Sequence, residues 1–117
     1  LGFHRRGEQP VIVPAPDETQ AALHNYIGSV TADAGGGIVA ASAPKGGLIT
    51  YWDVRARRFL GSCELNDGCG VAPTRHRASF LLTSGQGWLV ETDVADAADE
   101  ERRSSPYEWD NHAILVR

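Results

Sequence analysis

The chain has 117 residues, 42% of them hydrophobic, with thirteen glycines, six prolines and a formal net charge of -4. That is enough for one modest domain with an apolar core. The mild acidity argues against a general nucleic-acid binder, and no apolar run approaches the ~20 residues of a membrane-spanning helix. The basic residues are a single lysine, Lys45, and arginines, with pairs at Arg5-Arg6, Arg57-Arg58 and Arg102-Arg103 rather than a basic stripe.

Glycine-punctuated, strand-like runs such as "GGLITYW" and "GWLVETDV" predict an all-β fold of short strands. In chain order, residues 1–16 hold two strands, "LGFHRR" and "PVIVPAP", joined by the turn "RGEQ". They read as the last two strands of a blade whose first two lie elsewhere. Residues 17–27 break the pattern. Asp17 with Gln20 resembles a capping box, and Ala21, Ala22 and Leu23 favour helix, so one short helix is expected near residues 18–25. Residues 28–66 then read as a complete four-stranded antiparallel blade: "GSVTAD" innermost, "GIVAASA", a tight turn at Pro44–Gly47, "LITYWDV", and "FLGSCEL" outermost. Residues 67–117 read as a final blade with strands "CGVAP", "ASFLLTS" and "WLVETDV". A polar insertion at 95–107 reads as a mobile loop, which places the fourth strand at "HAILV".

A shift of about forty residues, the usual length of a propeller blade, superposes the two complete units. Gly28 meets Gly68, Ala32 meets Ala72, Gly47 meets Gly87, Asp53 meets Asp93 and Val54 meets Val94 without a gap. The identities fall at turn glycines and strand ends. The chain therefore reads as about two and a half blades, and a closed propeller needs at least four, so this is a fragment of a larger ring. Bare edge strands predict self-association of the isolated fragment.

The dipeptide Trp-Asp occurs twice. Trp52 and Asp53 end a third strand, where the indole covers the blade face and the carboxylate accepts hydrogen bonds from the following turn. With Asp93, Gly47 and Gly87 they are expected to be architecture. Trp109-Asp110-Asn111-His112 lies outside the repeated position. It concentrates groups able to stack, donate, accept or ligate, which makes these four the candidate ligand-binding residues. His112 and Asp110 are the candidate metal ligands, although a closed site usually needs three or four. The competing reading is that the cluster pins the end of the chain with buried hydrogen bonds. His4, His24 and His76 share no ligand spacing.

Cys63 and Cys69 form C-x5-C across a turn-rich link. They are either a disulfide closing a small loop, if the Cα atoms come within about 7 Å, or two reduced buried residues. Neither "AGGGI" nor "KGG" has the spacing of a phosphate loop, and no nucleophile elbow is legible.

Taken in order, "YIGSV", "SAPKGGLITYWD", "LNDGCGVA", "TSGQGWLVE" and "WDNHAILVR" resemble the C-terminal part of an uncharacterised bacterial family. Its members are exported, WD-repeat-like β-propeller proteins found in imelysin- and iron-associated gene clusters. The resemblance implies a seven-bladed ring, of which this chain is the last third, and a periplasmic location. It supplies no established activity. The function expected on all these grounds is non-catalytic: a scaffold whose turns at Lys45–Gly47, Asn66–Gly68 and Gly85–Gly87, with Trp109–His112, recognise a protein or small ligand. The alternative is a metal-binding or redox enzyme centred on the propeller axis, with His112 and Asp110 holding a transition metal such as iron.

Overall fold

The computed structural model describes residues 1–95 and 100–116. Strands β1 (Gly2–Phe3) and β2 (Val11–Ile12) form an antiparallel pair. After α1 (Asp17–Ala22), the one α-helix among the described residues, comes a four-stranded sheet in the order β3 (Ser29–Ala32), β4 (Ile38–Ala43), β5 (Leu48–Asp53) and β6 (Arg58–Glu64). A second sheet follows in the order β7 (Gly68–Pro73), β8 (Ser79–Ser84), β9 (Trp88–Asp93) and β10 (Glu100–Ser104). Every pairing is antiparallel. The fold is all-β, with two complete propeller blades and the outer half of another.

Helix α1 differs in detail from the expectation for residues 18–25. It follows the extended Pro16, and no side chain caps it. Gln20 instead accepts a 3.4 Å hydrogen bond from the Ala15 amide, outside the helix, so Asp17 and Gln20 form no capping box. The helix stops early because His24 and Asn25 take left-handed backbone conformations, which break the i to i−4 ladder.

The forty-residue register governs the second half of each blade. Gly47 and Gly87 both take positive φ, 63° and 86°, where a side chain would be strained. Each amide closes its turn, to the carbonyls of Pro44 and Ser84. Leu48 then pairs with Glu64, and Trp88 with Ser104. Just beyond, the Leu65 amide donates to Gly47 at 2.9 Å and the Ser105 amide to Gly87 at 2.8 Å.

This corrects the sequence expectation for the second blade. Its fourth strand is the charged Glu100–Ser104, inside the segment read as a polar insertion, and residues 112–116 form no strand. An outermost strand has little apolar surface to bury. Here its charges pair along each face, Glu100 with Arg102 and Glu101 with Arg103. Such charges also suit an unpaired sheet edge.

Strand alternation divides the core in two. Ile49 and Tyr51 point towards the second blade and pack with Val71, Phe80, Leu82 and Val90. Trp52, 2% exposed, points the other way with Ala41, against Val13 and Ala15 of the N-terminal half-blade. Phe59 meets the Trp52 ring edge-on at 5.5 Å. Asp53 accepts a hydrogen bond from the Ala56 amide, three residues on, at 2.7 Å, and Asp93 one from the Ala95 amide, two residues on, at 2.8 Å, so each carboxylate bonds the backbone just after its strand.

One polar device ties the blades together. The carboxylate of Asp33, at the end of β3, is buried and accepts four backbone N–H bonds. Three come from its own turn: Gly35 at 3.1 Å, Gly37 at 2.7 Å and Ile38 at 2.9 Å. The fourth comes from Ala78 of the next blade at 2.9 Å. Burial raises the carboxyl pKa, but the four donors together outweigh it and hold it below the usual carboxylate value.

Candidate functional site

After β10 the chain crosses back over one end of the blades, from the outermost strand to the innermost. Gly87 lets it start: a β-carbon there would lie 2.5 Å from the Ser105 carbonyl oxygen. It arrives over Gly70 of β7, where a β-carbon would lie 2.5 Å from Thr83 Oγ1 of the same sheet and also crowd the Asp110 carbonyl oxygen at 3.2 Å and the Ala113 side chain at 3.3 Å. Between these points the Trp109 indole N–H donates to Ser105 Oγ at 3.2 Å, and the Tyr107 ring meets the indole edge-on at 5.9 Å. Asp110 Oδ1 accepts the Asn111 amide at 2.6 Å. The Asn111 side chain reaches Gly28, at the start of the first blade's inner strand.

The turns singled out in the sequence gather at this same end. Pro44–Gly46 is a short 3-10 helix that abuts the carbonyl end of α1 at Ala22. Ser84 Oγ donates to the Asn66 carbonyl at 2.6 Å, and the Gly85 amide donates to the Asp67 carbonyl at 3.0 Å. Together these elements border a cleft of about 470 Å³, whose walls include Tyr26, Pro44, Asp67, Trp109, Asp110 and Asn111. Three carboxylates, Asp67, Glu108 and Asp110, contribute to it. The nearest ammonium, on Lys45, lies 4.8 Å from the centre of the Tyr26 ring.

The structure therefore brings Trp109, Asp110 and Asn111 to one cleft. His112 is exposed and does not line it. Asp67 belongs to the Asn66–Gly68 turn already expected to take part in recognition, whereas Tyr26 and Glu108 were not expected. Tyr26 lies in a link between blades, and its signal in the sequence is that "YIG" and "NDG" occupy matching places in the repeat.

Other chemistry-bearing residues are dispersed. His4, His24 and His76 are exposed on separate elements. Among the described residues no group of three or more His, Cys, Asp or Glu side chains is placed to hold a metal ion, so Asp110 and His112 gain no third ligand among them.

Cys63 and Cys69 are free thiols with separate neighbours. Cys63 Sγ lies 3.3 Å from the Tyr51 hydroxyl, whereas Cys69 Sγ donates to the Asp67 carbonyl at 2.8 Å. The small-loop disulfide is not formed. Burial pushes both thiols up, and it also pushes the Tyr51 phenol up, so all three stay protonated at neutral pH. Cys63 and Tyr51 border a second cleft of about 480 Å³ between the blades, with Ile38, Leu60 and Val94.

No helix among the described residues is long and apolar enough to cross a membrane. Comparison with curated proteins finds no match. Among solved structures the chain is similar to the β-propeller domain of Cps50 (Swd1) from Myceliophteria thermophila, with a TM-score of 0.64 at 13% identity. The similarity covers 77% of this chain but only 29% of that one, and at this identity it speaks to the fold alone. The family described as "Protein of unknown function (DUF1513)" matches residues 1–116, and the chain belongs to that family.

Proposed function

We propose that this protein is a non-catalytic binding and scaffold module, and that the cleft bordered by Tyr26, Asp67 and Trp109–Asn111 is its recognition surface. One observation carries the reading: the tail and the turns of both blades converge on a single cleft with two aromatic walls and three carboxylates. Such a cleft offers stacking surface and hydrogen-bond acceptors with few built-in cations, and it favours a basic or neutral polar ligand over an acidic one. The setting we propose is a periplasmic, iron-linked system, on the strength of the family resemblance in the sequence.

The test is chemical-shift mapping of the chain with basic, neutral and acidic tripeptides. The expected result is saturable shifts at the Trp109 indole and the Asn111 side-chain amide with basic peptides, lost in Trp109→Ala. Shifts confined to other surfaces, or a preference for acidic peptides, would overturn the assignment. The alternative, a metal-dependent or redox centre using His112 and Asp110, needs ligands beyond the described residues. Iron or zinc bound by the chain in calorimetry, and lost in His112→Ala, would favour it instead.

A further inference from the structure

The two complete blades are joined along their inner strands, where Ser42 Oγ of β4 donates to the Cys69 carbonyl of β7 at 2.6 Å. Towards the outer strands they part, and the cleft of about 480 Å³ lies in the gap. An irregularity in β6 opens it. Tyr51 pairs with Gly61 and Trp52 with Phe59, so Leu60 is an extra residue, a β-bulge. Strand alternation resets there. Phe59 packs on Trp52 on one face, whereas Leu60 and Cys63 both turn with Tyr51 towards the second blade. Gly61 stands opposite Tyr51 and shares its face, and a β-carbon there would meet nothing within 4 Å. A bulge and a glycine thus leave a recess where close packing would otherwise place a side chain.

The chemistry of the recess is graded. Ile38, Leu60 and Val94 give it apolar walls, and the buried Tyr51 supplies an aromatic base with its hydroxyl 3.3 Å from Cys63 Sγ. The carboxylates of Asp53 and Asp93, at the ends of the third strands of the two blades, border its mouth, each with Oδ1 on a backbone amide. Glu100 also borders it, but its carboxylate pairs with Arg102. The Arg102 guanidinium donates to the Glu64 carbonyl at 3.1 Å as well, so it spans from β10 to the end of β6. No lysine or arginine is among the described residues that line the cleft. An apolar recess with negative charge at its mouth concentrates cations there.

We infer that this interblade cleft is a second ligand site, built for a small amphiphilic amine. The apolar body of the ligand lies between Ile38, Leu60 and Val94 over the Tyr51 ring, and its ammonium group meets Asp53 and Asp93. The volume falls in the range of small-molecule sites, and the mostly apolar lining with a few placed polar groups is their usual make-up. A carboxylate of the same shape is rejected by like charge at the mouth. The site goes beyond the recognition cleft at Trp109 and shares no residue with it. The two open at opposite ends of the strands: Asp53 and Asp93 end β5 and β9, whereas Pro44 and Gly85 precede those strands.

The test titrates the whole chain at neutral pH with phenethylamine, phenethyl alcohol and hydrocinnamate, which share a ring and differ in charge. Saturable amide shifts are expected at Leu60, Gly61, Cys63 and Val94 with the amine, roughly fivefold weaker binding with the alcohol, and none with the carboxylate. The paired variant Asp53→Asn with Asp93→Asn keeps the oxygens that accept backbone amides and is expected to bring amine and alcohol within about twofold of each other. Cys63→Leu, which fills the base of the recess, is expected to abolish binding of both, with a thermal melt matching wild type to verify folding. A measurement on wild type does not depend on any variant: the amine should slow alkylation of Cys63 by N-ethylmaleimide in step with occupancy and leave Cys69 unchanged. Shifts centred on Trp109, hydrocinnamate binding as tightly as the amine, or unchanged labelling of Cys63 at saturating amine would each overturn the proposal. Trp109→Ala is expected to leave the amine site intact, so failure here and failure of the peptide cleft are read separately.

Discussion

Replacing Asp33 should loosen the two blades from one another. Of its four hydrogen bonds, those from Gly35 and Gly37 lie on an exposed turn where water can replace the carboxylate. Those from Ile38 and Ala78 are half-buried and shielded. Bonds to a charged acceptor contribute about 1.5 kcal/mol or more each, so Asp33→Ala is expected to cost about 3 kcal/mol at pH 7. For a domain of this size that corresponds to a fall in Tm of about 10 °C. The folded-state pKa is depressed, so the stabilisation is present above the unfolded value of about 4 and is lost as pH falls through the lower folded value. Urea unfolding of wild type and Asp33→Asn at pH 7 and in strong acid is the assay. The gap between the two proteins should narrow on acidification. An Asp33→Ala variant within about 0.5 kcal/mol of wild type at pH 7 would refute the reasoning, because that is the range of an ordinary surface substitution.

The two Trp-Asp dipeptides should separate by stability: Trp52→Ala is expected to cost about 4 kcal/mol in denaturant unfolding, and Trp109→Ala less than about 1 kcal/mol. Trp52→Phe should cost less than Trp52→Ala, since it keeps a ring and removes the buried indole N–H that has no acceptor. In β10, the Ser105 amide bonds to Gly87, so alternation turns the Arg103 amide inward and the Arg102 amide outward. Arg103→Pro should therefore lower stability by at least about 1 kcal/mol more than Arg102→Pro, and equal effects would contradict β10 as a paired strand. Ala78 holds a φ of 58°, so Ala78→Gly is expected to raise stability by about 1 kcal/mol, and no gain in a thermal melt would contradict the strain, because the amide that bonds Asp33 is present in both proteins.

Much of the fold was legible because strand positions that bury side chains carry their pattern openly. Ile49, Tyr51 and Trp52, with Gly47 before them, mark a central strand by apolar content and by a turn that requires positive φ. Strand β10 was not legible by that rule, since an outermost strand buries little and "EERRS" has the composition of a loop. The register held the missing signal. Leu48 pairs with Glu64, so the same spacing from Trp88 points to Ser104. Apolar content instead drew the fourth strand to "HAILV", which lies one place further on, beside the inner strand. The site was legible in part. Trp109, Asp110 and Asn111 stood out because the repeat did not require them. Tyr26 and Asp67 join them only through the stacking of blades, which no local pattern encodes. The Asp33–Ala78 bond spans 45 residues and is invisible for the same reason.

The course of the chain after β9 decides the site, because a charged β10 at the edge is what frees Trp109–Asn111 to cross the blades and wall the cleft. Residue-resolved hydrogen exchange of backbone amides tests this directly. The expected result is slow exchange at Glu101, Arg103 and Ser105, with fast exchange across Ala113–Val116 in the single chain. Slow exchange at Ala113–Val116 with fast exchange at Glu101 and Arg103 would place the outer strand at "HAILV" and contradict the cleft.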